Sequence, residues 1–304
     1  MRVALATRVG SVTLANPVMT ASGTAGHGAE LADYGALGAL GAVVVKSLCF
    51  EPWPGNPAPR VTEVGASMLN SVGLSGPGVE AWLREGLPAL RAAGATVVAS
   101  IWGRRVEDFA KAAAALREGA GALAAVEVNV SCPNIEDRAR MFAHSPGATE
   151  EAVAAAECGL PRWVKLSPNV ADLTSIAAAA QRGGASALTL VNTVLGLAID
   201  TETRRPVLGA GGGGLSGPPL RAVAVRAVWE CREAFPEFPL IGVGGIASGL
   251  DAVELLLAGA DAVQVGTATF RDPRAPWRVL AELERWCETH DVADVATLRG
   301  AAHG

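Results

Sequence analysis

The chain has 304 residues, 50% of them hydrophobic and 18% charged, which supplies a large core and excludes global disorder. A formal net charge of −5, with no basic tract, argues against nucleic acid as the main partner. Mean hydropathy is +0.31, but the apolar runs, such as Ala36–Val45, fall short of the roughly 20 residues that cross a bilayer.

Short apolar, β-branched runs at 17–22, 41–47, 96–102, 126–131, 163–167, 187–192, 239–244 and 262–266 predict strands. Helical patterns lie between them near 28–38, 78–93, 106–119, 148–158, 171–182, 217–235 and 248–258, and an amphipathic tail helix covers 275–290. Several helices run into Gly-Ala just before a strand, at Gly94-Ala95, Gly184-Ala185 and Gly259-Ala260. A glycine there supplies a left-handed C-cap. Strand–helix alternation implies a parallel sheet, and eight such units fit one closed (β/α)8 TIM barrel over 1–304, preferred to an open doubly wound sheet. Two stretches, Ser47–Gly78 and Cys132–Gly147, exceed ordinary loops. Both leave C-terminal strand ends, where barrels place their chemistry.

The five cysteines, Cys49, Cys132, Cys158, Cys231 and Cys287, are widely spaced and contain no C-x-x-C. A disulfide framework, a zinc site or an iron–sulfur cluster held by this chain alone is not expected, and metal ligands are not predicted. With no signal-peptide core behind Arg2 and Arg8, the expected compartment is the cytoplasm. Lysine is scarce: of 25 basic residues only Lys46, Lys111 and Lys165 are lysines. Lys111 fits a solvated helix face. Lys46 and Lys165 sit at the ends of apparent buried strands, where a compact ammonium differs from a guanidinium fork. They are read as cofactor or substrate contacts, against the plainer reading of snorkelling.

The strand ends carry small and polar residues: Ala21-Ser22-Gly23, Lys46-Ser47, Ser100, Asn129 to Asn134, Ser167-Pro168-Asn169, Asn192-Thr193, Gly244-Gly245 and Gly266-Thr267. Glycine turns after the seventh and eighth strands form a phosphate site in many barrels. Asn70, Asn129, Asn134 and Asn192 approach the same face and suit a flat, polar, amide-containing ring. Cys132, in a loop between asparagines, is the candidate reactive group. A nucleophilic thiol usually has a histidine partner, and neither His27 nor His144 lies in a dyad motif, which leaves proton abstraction.

Asn129-Val-Ser-Cys-Pro-Asn134 resembles the catalytic loop of class 1 dihydroorotate dehydrogenases. The resemblance covers nearly the whole chain in order: Asn16 to Gly23, Val45-Lys-Ser47, Met68 to Leu74, Lys165 to Asn169, Asn192-Thr193, Ala198-Ile-Asp200, Gly213 to Pro218, Gly244-Gly-Ile246 and Gln264 to Ala268. It implies an FMN-containing barrel that oxidises dihydroorotate to orotate in pyrimidine synthesis. Cys132 would remove the C5 proton while hydride leaves C6 for the flavin. Lys46 would touch flavin and substrate, and Lys165 the electron-rich end of reduced flavin. Asn70, Gly73, Leu74, Asn129, Asn134, Asn192 and Thr193 would hold the substrate. Ala21, Ser22, Gly23, Ser47, Ser100, Asn129, Gly217, Gly244, Gly245, Gly266 and Thr267 would line the flavin and its phosphate. The loop after Cys132 would act as a lid.

Membrane-bound, quinone-using relatives carry Ser at the base position. Cys132, Gly213 to Pro218 and the run 198–206 look instead like the NAD-linked type B branch. That branch pairs with a separate iron–sulfur, FAD-containing subunit, and class 1 relatives are usually homodimers. Gly76 and Ser100 stand where relatives often carry Asn, and Gly209 to Gly214 is unusually glycine-rich. The alternatives are the fumarate-linked class 1A enzyme, a related FMN barrel that reduces a pyrimidine or an RNA uridine, and a flavin-free isomerase or binding subunit.

Overall fold

A computed structural model describes residues 3–134 and 140–304, the side chains of Pro133 and Asn134 excepted. Its central sheet contains β1 (Val18–Thr20), β2 (Val43–Val44), β3 (Val97–Ile101), β4 (Ala125–Asn129), β5 (Arg162–Leu166), β6 (Ala187–Leu190), β7 (Leu240–Val243) and β8 (Ala262–Val265). Each strand runs parallel to the next in chain order, and β8 returns to β1, with Val263 opposite Val18. The β1–β2 seam is bridged at Met19 and Ala42. There Gly41 N donates to Val18 O at 2.8 Å and Thr20 N to Ala42 O at 3.2 Å. These bonds make the sheet a barrel and remove the doubly wound alternative.

Helices α1 (Val79–Ala92), α2 (Val106–Leu116), α3 (Pro146–Ala155), α4 (Leu173–Arg182), α5 (Arg221–Ala234) and α6 (Gly249–Leu257) follow β2 to β7 in turn. The short α7 (Ala268–Arg271) and the tail helix α8 (Ala275–Thr289) follow β8. The predicted C-caps hold their left-handed backbone, with φ of 75° at Gly94, 94° at Gly184 and 124° at Gly259. The helix predicted over 28–38 is instead two 3-10 turns, Glu30–Asp33 and Leu37–Ala39. Glycine costs a helix about 1 kcal/mol relative to alanine, and this stretch has three. Two of them allow close packing: a Cβ on Gly35 would lie 2.6 Å from the Trp277 ring, and one on Gly38 2.8 Å from Gly94 O.

The long stretch after β2 also departs from the expected loop. Val61–Val64 and Ser67–Asn70 form a hairpin, which Gly213–Ser216 and Val194–Gly196 extend into a four-stranded antiparallel sheet. Its strands leave the C-terminal ends of β2 and β6, so it stands over that mouth of the barrel. The lid expected after Cys132 falls largely on 135–139, outside the described residues.

The barrel interior has two layers, because side chains alternate in direction along a strand. Toward the N-terminal end lie Met19, Val44, Val98, Ala125, Trp163, Ala187, Ile241 and Ala262. The N-terminal hairpin Thr7–Val9/Val12–Leu14 packs Val9 and Leu14 against them and closes this end. Two residues further along the strands the interior becomes polar: Ser100, Glu127, Lys165, Thr189 and Gln264 are all buried. The apolar layer is a floor, and the polar layer faces the open mouth.

Candidate active site

Lys46 owes its position to an irregularity in β2. Val44 pairs with Val98 and Leu48 with Ile101, so between these points β2 has one residue more than β3. Such a bulge re-aims the side chains it contains. Ser47 turns inward and is buried, while Lys46 is half-buried and its N–H donates to Gly26 O at 2.9 Å. Burial, and then the charge of Arg60, hold the Lys46 pKa below the usual lysine value.

From Ser47 a line of polar groups crosses the mouth. The Ser47 and Ser100 hydroxyls share a hydrogen bond of 2.9 Å, and Asn129 Nδ2 donates to Ser47 Oγ at 3.3 Å. Asn192 Nδ2 donates to Asn129 Oδ1 at 3.3 Å, and Thr193 N to Asn192 Oδ1 at 2.8 Å. Asn169 Nδ2 then donates to Thr193 O at 2.9 Å. On the overlying sheet, Asn70 Nδ2 donates to Gly214 O at 3.1 Å, and a Cβ on Gly214 would collide with the Thr193 hydroxyl. The expected substrate residues Asn70, Asn129, Asn192 and Thr193 therefore converge from three separate segments. Gly73 and Leu74 follow Asn70, and Leu74 has a left-handed backbone (φ 59°), costly for a branched side chain. Asn134 lies in a two-residue strand opposite Arg140, and its side chain lies outside the described residues.

Cys132 sits apart from this line. It is fully buried, and its thiol donates to Gly103 O at 2.9 Å and Asn129 O at 3.2 Å. Burial pushes the thiol up to about 12.

The expected cofactor residues form a second group beside the asparagines. Lys165 Nζ donates to Ser22 Oγ at 3.3 Å, which ties β5 to Ala21-Ser22-Gly23, and Ala21 N donates to Val265 O at 2.8 Å. A Cβ on Gly266 would touch Ala21 Cβ at 3.4 Å, and Thr267 Oγ1 donates to Ser216 Oγ at 2.8 Å. Gly217, Gly244 and Gly245 have φ of 102°, 136° and 72°. A Cβ on Gly245 would lie 2.5 Å from the backbone nitrogen of Arg221, the first residue of α5. Only glycine lets the β7 turn approach that helix start so closely.

A family model described as dihydroorotate dehydrogenase matches residues 4–286. The chain belongs to the dihydroorotate dehydrogenase family. A Desulforudis audaxviator relative named dihydroorotate dehydrogenase B (NAD(+)), catalytic subunit, is 48% identical over 305 residues, 100% of this chain and 99% of that protein. A relative of the same name from Geobacter sp. (strain M21) is 45% identical over 295 residues, 96% of each chain. A Solibacter usitatus relative, 48% identical over 298 residues and 97% of each chain, is named provisionally as dihydroorotate dehydrogenase A (fumarate).

Within this dihydroorotate dehydrogenase fold, three polar groups lie beyond those picked from the sequence. Glu127 is wholly buried in β4, and Gln264, noted only inside a motif, is wholly buried in β8. Residues 125, 127 and 129 share one face of β4, so the period-2 pattern that exposes Asn129 to the mouth also placed Glu127 inside. His27 puts Nε2, buried and without a hydrogen-bond partner, 3.1 Å from where a Cβ on Gly76 would sit. Burial, and then the neighbouring Lys46 charge, keep the His27 pKa low. Gly76 thus leaves room for the imidazole.

Proposed function

We propose that this chain oxidises (S)-dihydroorotate to orotate with FMN as cofactor. The observation that carries the reading is the convergence of Asn70, Asn129, Asn192 and Thr193 on one mouth, beside Lys165, Ser22 and the glycine turns. FMN fits those residues. Lys165 has three N–H donors and uses two within the protein, on Ser22 and Gln264. The glycines at 217, 244, 245 and 266 leave backbone N–H groups free of side chains where a phosphate needs close approach, and Thr267 adds a hydroxyl beside them.

When bound, FMN supplies the acceptor for the hydride that leaves C6. The chain's own residues do the rest. The asparagines offer donors and acceptors to the edges of a flat ring, and Lys46 offers a positive charge to the substrate carboxylate. Cys132 takes the C5 proton as the thiolate, after its own S–H proton has left to solvent and its bonds to Gly103 and Asn129 are broken. Proton and hydride together account for the two hydrogens lost. Lys165 places positive charge beside the pyrimidine end of the flavin.

On this reading the electrons pass to NAD through a separate subunit carrying FAD and an iron–sulfur cluster, the arrangement that the motifs at 198–206 and 213–218 resemble. The Solibacter relative favours a second reading, fumarate as acceptor. A homodimer has an apolar surface available in Leu195, Leu197 and Ile199, each more than half exposed. The working compartment is the cytoplasm; among the described residues no helix is long and apolar enough to cross a membrane.

The test is to purify the chain alone, record its visible spectrum and add dihydroorotate without oxygen. A flavin band that bleaches supports the reading, and reoxidation by fumarate alone would select the second acceptor. A colourless chain that takes up no FMN overturns the cofactor, and a band that stays yellow overturns the substrate.

A further inference from the structure

Under the mouth of the barrel lies a buried charge pair of which the proposed reaction uses only the lysine. Lys165 Nζ is 3.7 Å from Glu127 Oε1, and the two side chains are 5% and 0% exposed. Gln264 stands between them, each end of its amide matched to its neighbour. Its Nε2 donates to Glu127 Oε2 at 2.7 Å, and its Oε1 accepts from Lys165 Nζ at 3.3 Å. Glu127 Oε1, the oxygen nearer the ammonium, has no hydrogen-bond partner. The ammonium is therefore held short of contact with its counter-charge, between Gln264 Oε1 and Ser22 Oγ, with a third N–H left over.

Such a pair is poorly explained by stability. Desolvating two ions consumes most of what their attraction returns, and an apolar pair of similar volume usually serves as well. A pair built for stability would also close to a direct hydrogen bond. This one is spaced by an amide.

We propose that Glu127 is a positioning residue that sets the reduction potential of the flavin through Lys165, with Gln264 as the spacer that keeps the lysine turned toward the cofactor. The inference rests on the FMN reading above. Reduction puts negative charge on the pyrimidine end of the flavin, beside Lys165. A carboxylate behind the lysine offsets part of its field in a low-dielectric interior, where charge interactions are weakly screened. It thus keeps the flavin easier to reoxidise than an uncompensated lysine would. Gln264 limits that offset by preventing the pair from closing.

The two variants have opposite signs. Glu127→Gln keeps the shape and removes the negative charge, so reduced FMN gains about tenfold in stability and the midpoint potential rises by about 30 mV for a two-electron couple. Gln264→Met keeps both charges and removes the spacer, so Lys165 closes on Glu127 and the potential falls. The measurement is the midpoint potential of the FMN-loaded protein by dye equilibration under slow enzymatic reduction, with the FMN:protein ratio recorded alongside. A merely structural role would lower FMN retention or thermal stability without a signed change in potential. If Glu127→Gln does not fold, Gln264→Met alone decides by its sign. Bound FMN with less than a twofold change, about 9 mV by the same conversion, in the variants that fold overturns this inference and leaves the FMN reading standing. A wild-type chain that takes up no FMN overturns both.

Discussion

The Cys132 thiol donates to the Gly103 carbonyl oxygen at 2.9 Å, which fixes the proposed base in its protonated state. Burial pushes its pKa up to about 12, so only a minute thiolate fraction exists at neutral pH. Below its pKa that fraction grows tenfold with each pH unit, because the base is the deprotonated form. Flavin reduction by dihydroorotate is therefore expected to speed up about tenfold per unit from pH 7 to 9, without a plateau. Stopped-flow traces of the 450 nm band measure this; a profile already level by pH 8 would mean a base with a far lower pKa. Cys132→Ser is expected to slow the same step by roughly 10²- to 10⁴-fold while orotate still binds.

The polar line across the mouth predicts unequal costs for its members. Asn129 is the hub: it donates to Ser47 and accepts from Asn192 and from Ser131 N. Asn129→Ala breaks all three contacts and is expected to weaken orotate at least tenfold, since each lost bond with a partner left buried costs about 1–3 kcal/mol. Ser100→Ala removes one hydroxyl at the end of the line, and its expected effect is about three- to tenfold. Spectral titration of the FMN-loaded variants with orotate gives both values. Equal losses at the two positions would show that the residues act separately and not as a connected line.

What was readable in the sequence, and what was not, follows from the range of the interactions. The barrel strands announce themselves through local apolar runs, and Gly94, Gly184 and Gly259 mark helix ends through a backbone conformation only glycine adopts freely. Lys165 stood out because a buried strand containing a lysine is rare. The four-stranded sheet over the mouth was hidden. Its central pairing joins Met68–Asn70 to residues 214–216, and its strands have only three or four residues, some of them glycine. No local pattern reports a partner so distant. Glu127 was hidden for another reason: nothing in Ala125–Val130 reveals that Lys165 and Gln264 converge on it from two other strands.

Lys46 predicts a pH effect of the opposite sign to that of Cys132. Its pKa is held down, chiefly by burial, so it loses its charge at lower pH than an ordinary lysine. An anionic ligand bound to the charged form then weakens as pH rises through that value. Orotate affinity for the FMN-loaded protein is expected to fall as pH rises through that lowered pKa, at lower pH than an ordinary lysine would give. Lys46→Arg is expected to bind orotate more weakly at pH 7 but with a flat profile, because guanidinium stays charged throughout. A wild-type profile as flat as that of the arginine variant would remove Lys46 from contact with the substrate charge.

Two glycines with nearly the same backbone twist separate strain from crowding. Gly94 has φ of 75° and open space around a built Cβ, whereas Gly245 has φ of 72° and would drive its Cβ to within 2.5 Å of Arg221 N. Both alanine variants bear the cost of a left-handed backbone, about 1–2 kcal/mol for a residue with a side chain. Only Gly245→Ala must also force the β7 turn and the start of α5 apart, displacing the turn whose N–H groups are proposed to hold the FMN phosphate. Gly94→Ala is therefore expected to keep its flavin with a modest loss of thermal stability. Gly245→Ala is expected to lose FMN on purification and to need at least tenfold more added FMN to recover its spectrum. The flavin-to-protein absorbance ratio and an FMN titration of each apoprotein distinguish the two. If both variants hold FMN equally, the phosphate does not sit against the β7 turn, and the remaining glycine turns, at Gly217 and at Gly266–Thr267 after β8, become the places to look.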